Sequence, residues 1–216
     1  MSVIVPVKGL GNIKSRLSSL LSLNQRQELT FHMLEDVLSA IGASSLIDEC
    51  TVVSPSPQIL KFAGSAGAQT LKEAYGRGVN IAVSKGNAYS VKRGATCTII
   101  FPGDIPLLLP QDVDEIVRAG RGANSVVITP SVRLDGTNAL LRNPPEVVPT
   151  YYDRESFRSH LAEAKRRRLC VKLLLSRRVM LDIDTPEDIK QFLSINSNTL
   201  TYEFLHRVLR EEHISV

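Results

Sequence analysis

Short runs of β-branched and aliphatic residues recur along this chain, and segments of helical length lie between most of them. The chain opens on one such run, Ser2-Val3-Ile4-Val5-Pro6-Val7, which Lys8-Gly9-Leu10-Gly11 breaks at once. Further strand-like runs lie at 51–54, 68–71, 96–101, 125–129, 139–141, 171–175 and 179–183. From residue 23 to 41, Leu29, Met33, Leu34, Val37, Leu38 and Ile41 recur at helical spacing, with Asn24 placed to cap the start and Gly42 the end. Helices are also expected over 75–84, 111–119 and 155–167. An amphipathic helix is expected over 199–212, with Phe204, Leu205, Val208 and Leu209 on one side. Strands alternating with helices imply an α/β fold, a mainly parallel sheet flanked by helices on both faces. Residues 138–143, which end in Pro144-Pro145, read as an insertion or edge strand. No repeat or linker divides the 216 residues, so a single domain is expected.

Composition narrows the function classes. Aromatic residues make up 5% of the chain and Trp is absent, so no platform for stacking single-stranded bases is evident. Lys and Arg exceed Asp and Glu by 26 to 22, a mild excess that suits anionic ligands. Much of it is local, at Lys165-Arg166-Arg167-Arg168, where the cations suit the carboxyl end of a helix. A nucleic-acid partner is therefore not expected. Cys50, Cys97 and Cys170 are odd in number and far apart among apolar residues, as buried reduced thiols in a cytoplasmic protein would be. The four histidines form no HxxxH or HxH pair, which argues against a transition-metal site. No apolar run reaches the roughly 18 residues that span a bilayer, so no membrane association is expected.

In open α/β sheets ligands collect at the carboxyl ends of strands, so the residues just after each strand carry the functional argument. After the first strand, Lys8, Gly9, Lys14 and Arg16 combine a glycine loop, a helix start and three cations within nine residues. Backbone amides and fixed cations there can hold a triphosphate. The spacing fits neither a Walker A loop nor a full dinucleotide fingerprint, because Lys14 stands where the third glycine would be. The strand ending in Phe101-Pro102-Gly103 delivers Asp104 onto a turn fixed by Pro106. A carboxylate so placed is a natural Mg²⁺ ligand, since magnesium takes one or two carboxylates plus phosphate oxygens.

In Leu181-Asp182-Ile183-Asp184-Thr185-Pro186-Glu187-Asp188 a strand runs into a helix start. Thr185, Pro186 and the following acids have structural roles there. Asp182 and Asp184 alternate and face one side, with Asp184, at the strand end, the preferred second metal ligand. Gly78 and Asn80, at another helix entrance, suit nucleotide contacts. The 134–141 and 152–160 segments could supply contacts to an acceptor, the second through the free amides of the helix that Ser156 opens, where plain helix capping is the alternative.

Taken in order, IVPVKGLGNIKSRL, GRGVNIAV, FPGDIPLL, DGTNALL, ESFRSH and LDIDTPEDI resemble the 2-phospho-L-lactate guanylyltransferase family over nearly the whole chain. A strand-borne PxDxPLL and an ending of the DTPEDI type occur also in molybdenum-cofactor guanylyltransferases and sugar-phosphate nucleotidyltransferases. The VPVK…KSRL opening together with DGTNALL favours the phospholactate branch. The resemblance implies a GT-A-like nucleotidyltransferase, often homodimeric, in deazaflavin coenzyme biosynthesis of methanogens and some bacteria. Its substrates would be GTP and 2-phospho-L-lactate, with phosphoenolpyruvate the acceptor in relatives.

Carried over, Asp104 and Asp184 become metal ligands, Lys8, Lys14 and Arg16 triphosphate cations, and Thr137, position 153 and Ser156 the acceptor contacts. The family pattern has Gly where Asp153 stands, and this carboxylate would repel an anionic acceptor unless it turns outward as a helix cap. In-line attack of the acceptor phosphate on the α-phosphorus needs no general base, because the attacking oxygen is already ionised. Positioning and charge neutralisation then supply the rate. The reading from a different class is a nucleotide-binding regulator that keeps the fold without catalysis, against which both candidate metal carboxylates speak.

Overall fold

The computed structural model describes residues 1–73, 78–153 and 155–211. Seven strands form one sheet in the order β3-β2-β1-β4-β6-β5-β7. The first half alternates as β1 (Ser2–Pro6), α1 (Leu23–Gly42), β2 (Glu49–Ser54), α2 (Pro57–Ser65), β3 (Gln69–Lys72), α3 (Val79–Lys92) and β4 (Thr98–Ile100). The second half runs α4 (Pro110–Ala119), β5 (Ser125–Pro130), β6 (Thr137–Asn143), α5 (Ser156–Arg166), β7 (Cys170–Leu173), α6 (Arg177–Met180), α7 (Pro186–Leu193) and α8 (Leu200–Glu211). All pairings are parallel except those of β6, which runs antiparallel to both β4 and β5.

The period of two along each strand sorts the core into two layers. Val3 and Val5 of β1, Val52 of β2 and Ile99 of β4 pack with Val37 and Ile41 of α1, Ile59 of α2 and Val113 of α4. The intervening residues Ile4, Val53 and Ile100 face the other way, onto Ala82 and Val83 of α3 and Ala164 of α5. Helices thus cover both faces, as the alternation of strands and helices requires. A third cluster packs Leu29 and Met33 of α1 against Ile189 and Phe192 of α7 and Phe204, Leu205 and Val208 of α8. It fastens the last two helices beside the sheet.

Several local expectations change. Asn24 does not cap α1; Ser22 does, accepting from the Gln25 amide while the Gln25 side chain accepts from the Ser22 amide, a capping box. The 179–183 run is no strand. Residues 177–180 form α6, and the Asn138 amide donates to the carbonyls of Val179 (3.1 Å) and Met180 (2.9 Å), occupying acceptors that a neighbouring strand would need. Residues 138–143 form no edge. They belong to β6, between β4 and β5, with Leu140 and Leu141 buried on opposite faces.

Helix α2 was absent from the expectation although Ser56 caps it and Pro57 begins it. Helix α3 continues to Lys92, and the expected start of that helix at Tyr75 lies outside the described residues, as does Glu212 of the tail helix. Of the three free cysteines Cys170 is exposed, against expectation, because it begins the edge strand β7. The 165–168 cations straddle the end of α5, where Glu163 pairs with Arg166 (2.7 Å) and Arg167 (2.6 Å).

Gly86 sets how closely α3 approaches the sheet. A methyl group there would lie 2.7 Å from Ile4 Cγ2 and 3.1 Å from Val53 Cγ2, both on stiff β-branched side chains. Overpacking of this kind costs about 1–3 kcal/mol, against which the better helix propensity of alanine returns about 1 kcal/mol. Gly86→Ala is therefore expected to lower the urea midpoint at unchanged m-value. A midpoint equal to or above wild type would show that α3 can ride away from the sheet without loss.

Candidate active site

The carboxyl ends of β1 and β4 open onto one cleft, and the chain brings four distant segments to it. Beyond β1 the loop runs over Lys8 and Gly9 to Lys14, which adopts a left-handed backbone (φ 50°) just ahead of a single 3-10 turn at Ser15–Leu17. That conformation costs a non-glycine residue about 1–2 kcal/mol. It accompanies an inward side chain, only 6% exposed, whereas Lys8 and Arg16 stay at the surface. Lys14 Nζ donates to Asp104 Oδ2 at 2.5 Å and to Asp184 Oδ1 at 2.7 Å. The two segments bearing these carboxylates are themselves joined, the Ile183 amide donating to the Asp104 carbonyl at 3.1 Å.

The electrostatics follow from that contact. Burial works against the charge of Lys14, yet Asp104 and Asp184 outweigh it and hold the ammonium's pKa above its ordinary value. Burial likewise tends to raise the Asp184 carboxyl, but Lys14, with Lys8 and Arg16 behind it, holds it below the usual range. Asp182 behaves oppositely. Burial, reinforced by the charge of Asp104, pushes it up to about 6, although the Asn138 amide donates to it at 3.0 Å.

Asp182 and Asp184 both line the cleft while Ile183 between them is buried, so their alternation survives without a strand. Among the described residues no three or more His, Cys, Asp or Glu side chains cluster as a ready-made metal cage. Two carboxylates closed on one cation nevertheless have the donor chemistry of a site that takes a divalent ion together with phosphate oxygens.

The opposite wall carries hydroxyls. Thr137 and Asn138 begin β6 and point to opposite sides of it: Asn138 to the 179–182 segment, Thr137 to α5. Ser156 Oγ donates to Thr137 Oγ1 at 3.2 Å, and His160 Nδ1 lies 3.0 Å from the same oxygen. Ser156 and His160 stand four residues apart and so share one face of α5. That spacing was the available signal for His160, to which no role had been given. Asp153 also lines the cleft but caps no helix. The position before α5 belongs to Glu155, with φ 53°, and makes no side-chain capping bond. Instead Asn80, in the first turn of α3, donates to Asp153 Oδ2 at 3.1 Å and accepts from the Tyr152 amide at 2.8 Å.

The expected residues, apart from Asn80, whose side chain is engaged by Asp153 and Tyr152, thus fall into adjoining hollows. Lys8, Lys14, Asp104, Thr137, Asp153, Ser156 and Asp184 share a cleft of about 280 Å³. Gly9 and Arg16 join Lys8 and Lys14 in a basic hollow beside it. Gly9 and Gly78 border a third, more apolar hollow with Val79 and Ala82, where Glu73, overlooked in the sequence, is buried with its Oε1 unpaired among the described residues. A cationic hollow, a pair of carboxylates and a hydroxyl-lined wall in one continuous depression suit a polyphosphate meeting a second anion.

The chain is similar to several known proteins. A 2-phospho-L-lactate guanylyltransferase of Methanocaldococcus jannaschii is 32% identical over 206 residues, covering 95% of this chain and 88% of that protein. A phosphoenolpyruvate guanylyltransferase of Rubrobacter xylanophilus is 37% identical over 186 residues, 86% of this chain and 90% of its own. Among solved structures, one from Desulfovibrio desulfuricans G20 superposes with a TM-score of 0.79 at 16% identity, covering 97% of this chain and 96% of that one. A nucleotidyl transferase from Methanothermobacter superposes with a TM-score of 0.68 at 13% identity over 95% and 98% of the two chains. The structural likenesses establish the nucleotidyltransferase type of fold. With the family model matching residues 1–213, the chain belongs to the CofC-like guanylyl transferases.

Proposed function

We propose that this protein transfers a guanylyl group from GTP to a small phosphorylated carboxylic acid, 2-phospho-L-lactate, releasing pyrophosphate. The observation that carries the reading is the meeting, in one cleft, of the Lys14–Asp104–Asp184 contact with the Thr137–Ser156 hydroxyl pair. Within a guanylyl transferase family, that arrangement offers separate ground to a triphosphate and to an anionic acceptor. Phosphoenolpyruvate is the second reading, favoured by the 37% identical relative that bears its name. The two acceptors differ in the saturation of the carbon skeleton and share the phosphate and carboxylate that this wall would bind.

In this mechanism Lys8 and Arg16 receive the β- and γ-phosphates at the cleft mouth, and Lys14 neutralises the departing pyrophosphate. Gly9 lets the backbone approach the phosphates closely, and Gly78 opens the side where the nucleoside lies. Asp104 and Asp184 fit Mg²⁺, which when bound would offset charge on the α-phosphate and orient it for in-line displacement. Thr137, through its hydroxyl, and the amides of the helix start that Ser156 opens fix the acceptor so that its phosphate oxygen faces the α-phosphorus, which supplies rate through orientation rather than proton transfer. Asp153, held by Asn80 at 3.1 Å, is kept from swinging freely toward the acceptor.

Incubation with GTP and Mg²⁺ and each acceptor in turn, read by pyrophosphate release and mass spectrometry, is expected to give lactyl-2-diphospho-5'-guanosine with phospholactate. Turnover of phosphoenolpyruvate alone would move the reading to that acceptor, and turnover of neither would overturn it.

Asp104→Asn and Asp184→Asn are each expected to lower kcat by about 100-fold or more with the circular-dichroism spectrum unchanged. Near-normal kcat in both would remove the carboxylates from the chemistry. Lys14→Met leaves the two carboxylates facing each other without their cation, so Mg²⁺ is expected to raise the Tm of this variant more than that of wild type. An equal shift in both would separate the carboxylates from the metal.

A further inference from the structure

His160 is fully buried at the foot of the acceptor wall, and its two ring nitrogens have different neighbours. The backbone amide of Tyr151 donates to Nε2 at 2.8 Å. An amide N–H can only donate, so Nε2 must present its lone pair and the ring hydrogen must sit on Nδ1. Burial, together with the charge of Arg142, holds the imidazole down to about 4, so the ring is neutral near pH 7 and carries that one hydrogen. Nδ1 lies 3.0 Å from Thr137 Oγ1, and the hydrogen has its acceptor there. Ser156 Oγ donates to the same oxygen at 3.2 Å. A hydroxyl oxygen has two lone pairs, and both are taken. What Thr137 has left is its own proton, on a side chain that lines the cleft.

We propose that His160 is a positioning residue: by donating through Nδ1 to Thr137 Oγ1 it compels the Thr137 hydroxyl to act as a donor into the cleft, toward a phosphate or carboxylate oxygen of the acceptor. Threonine hydroxyls ordinarily rotate to suit any partner, so a threonine alone would tolerate donors and acceptors alike. Wired in this way, the Thr137 hydroxyl discriminates for anionic oxygen and against ligand groups that carry hydrogens. The Tyr151 amide is the origin of the relay. Its position two residues before Asp153 ties the tautomer of His160 to the same loop that Asn80 fastens at Tyr152 and Asp153. The proposal rests on the reading of this wall as the acceptor side.

Two measurements separate its failure from that of the functional reading. In a ¹⁵N–¹H correlation spectrum of the unliganded protein at neutral pH, His160 is expected as the Nδ1–H tautomer. An Nε2–H tautomer or a charged ring overturns the wiring whatever the enzyme turns over.

In steady-state assays His160→Asn places an amide donor where Nδ1 stood, and is expected to keep the acceptor KM within about threefold. His160→Gln reaches the Nε2 position instead, and is expected to raise the acceptor KM about tenfold or more with the GTP KM unchanged. The Gln change should add nothing further in a Thr137→Val background, because the hydroxyl it acts through is gone. Equal effects of Asn and Gln, a matching rise in the GTP KM, or additivity with Thr137→Val would each overturn the proposal. If wild type turns over neither phospholactate nor phosphoenolpyruvate with GTP, the functional reading falls, and the tautomer spectrum still decides the relay.

Discussion

The buried ammonium of Lys14 between Asp104 and Asp184 is the contact on which the site depends. Each partner comes from a different part of the chain: the loop after β1, the turn after β4 and the stretch ahead of α7. Without the cation, two carboxylates held this close would repel, and one would take up a proton. Without the carboxylates, the ammonium would be a buried charge with nothing to offset its desolvation. The arrangement is also provisional in a useful sense. In the proposed reaction a divalent ion arriving with a triphosphate would take over the carboxylates, and Lys14, on a loop with an exposed lysine and arginine nearby, would then have phosphate to pair with. The same cation would hold the site's shape before substrate and neutralise charge once substrate is present.

Reversal of β6 brings the second half of the site within reach. Its register pairs Leu140 with Ile100, so Thr137 lies three residues beyond that pair, in the direction in which β4 runs out toward Asp104. A parallel strand would have presented its opposite end there. Because β6 is antiparallel, its first residues rather than its last meet the carboxyl ends of β1 and β4, and the hydroxyl wall stands across from the cations. β6 is buried on both faces, and Arg142 within it donates to the Val148 carbonyl and the Asn87 side chain, while its Nε has no partner among the described residues. The loop that returns from β6 to α5 then carries Tyr151, Tyr152 and Asp153 back over the cleft.

The sequence made the strand-end chemistry legible because it is local. Asp104 follows an apolar run, Lys14 follows a glycine loop, and Thr185 and Asp188 announce a helix start that the structure completes as a capping box. What escaped was everything decided by partners far along the chain. The 179–183 run has the β-branched pattern of a strand, and its carbonyls pair instead with the Asn138 side chain, some 40 residues earlier, and with the Val132 amide. The centrality of β6 was hidden by the following Pro144-Pro145, which speaks of where the strand stops and not of which neighbours it has. Asp153 looked like a helix cap from its place ahead of Ser156, and its true partner, Asn80, is 73 residues away.

Asp153 also shows how such a wall can tolerate a carboxylate where a glycine would be expected. Repulsion of an anionic acceptor falls with the distance and rises with the freedom of the carboxylate to approach it. Asn80 limits that freedom, and the same Asn80 accepts from the Tyr152 amide, so the loop bearing the carboxylate is fixed at two successive residues. The next amide back, that of Tyr151, is the one that sets the His160 ring. Three consecutive residues of one loop therefore hold a negative charge in place and set the direction of a hydroxyl proton. A change that loosened the loop would weaken both effects together, because the attraction of the Thr137 proton and the restraint on Asp153 share one backbone.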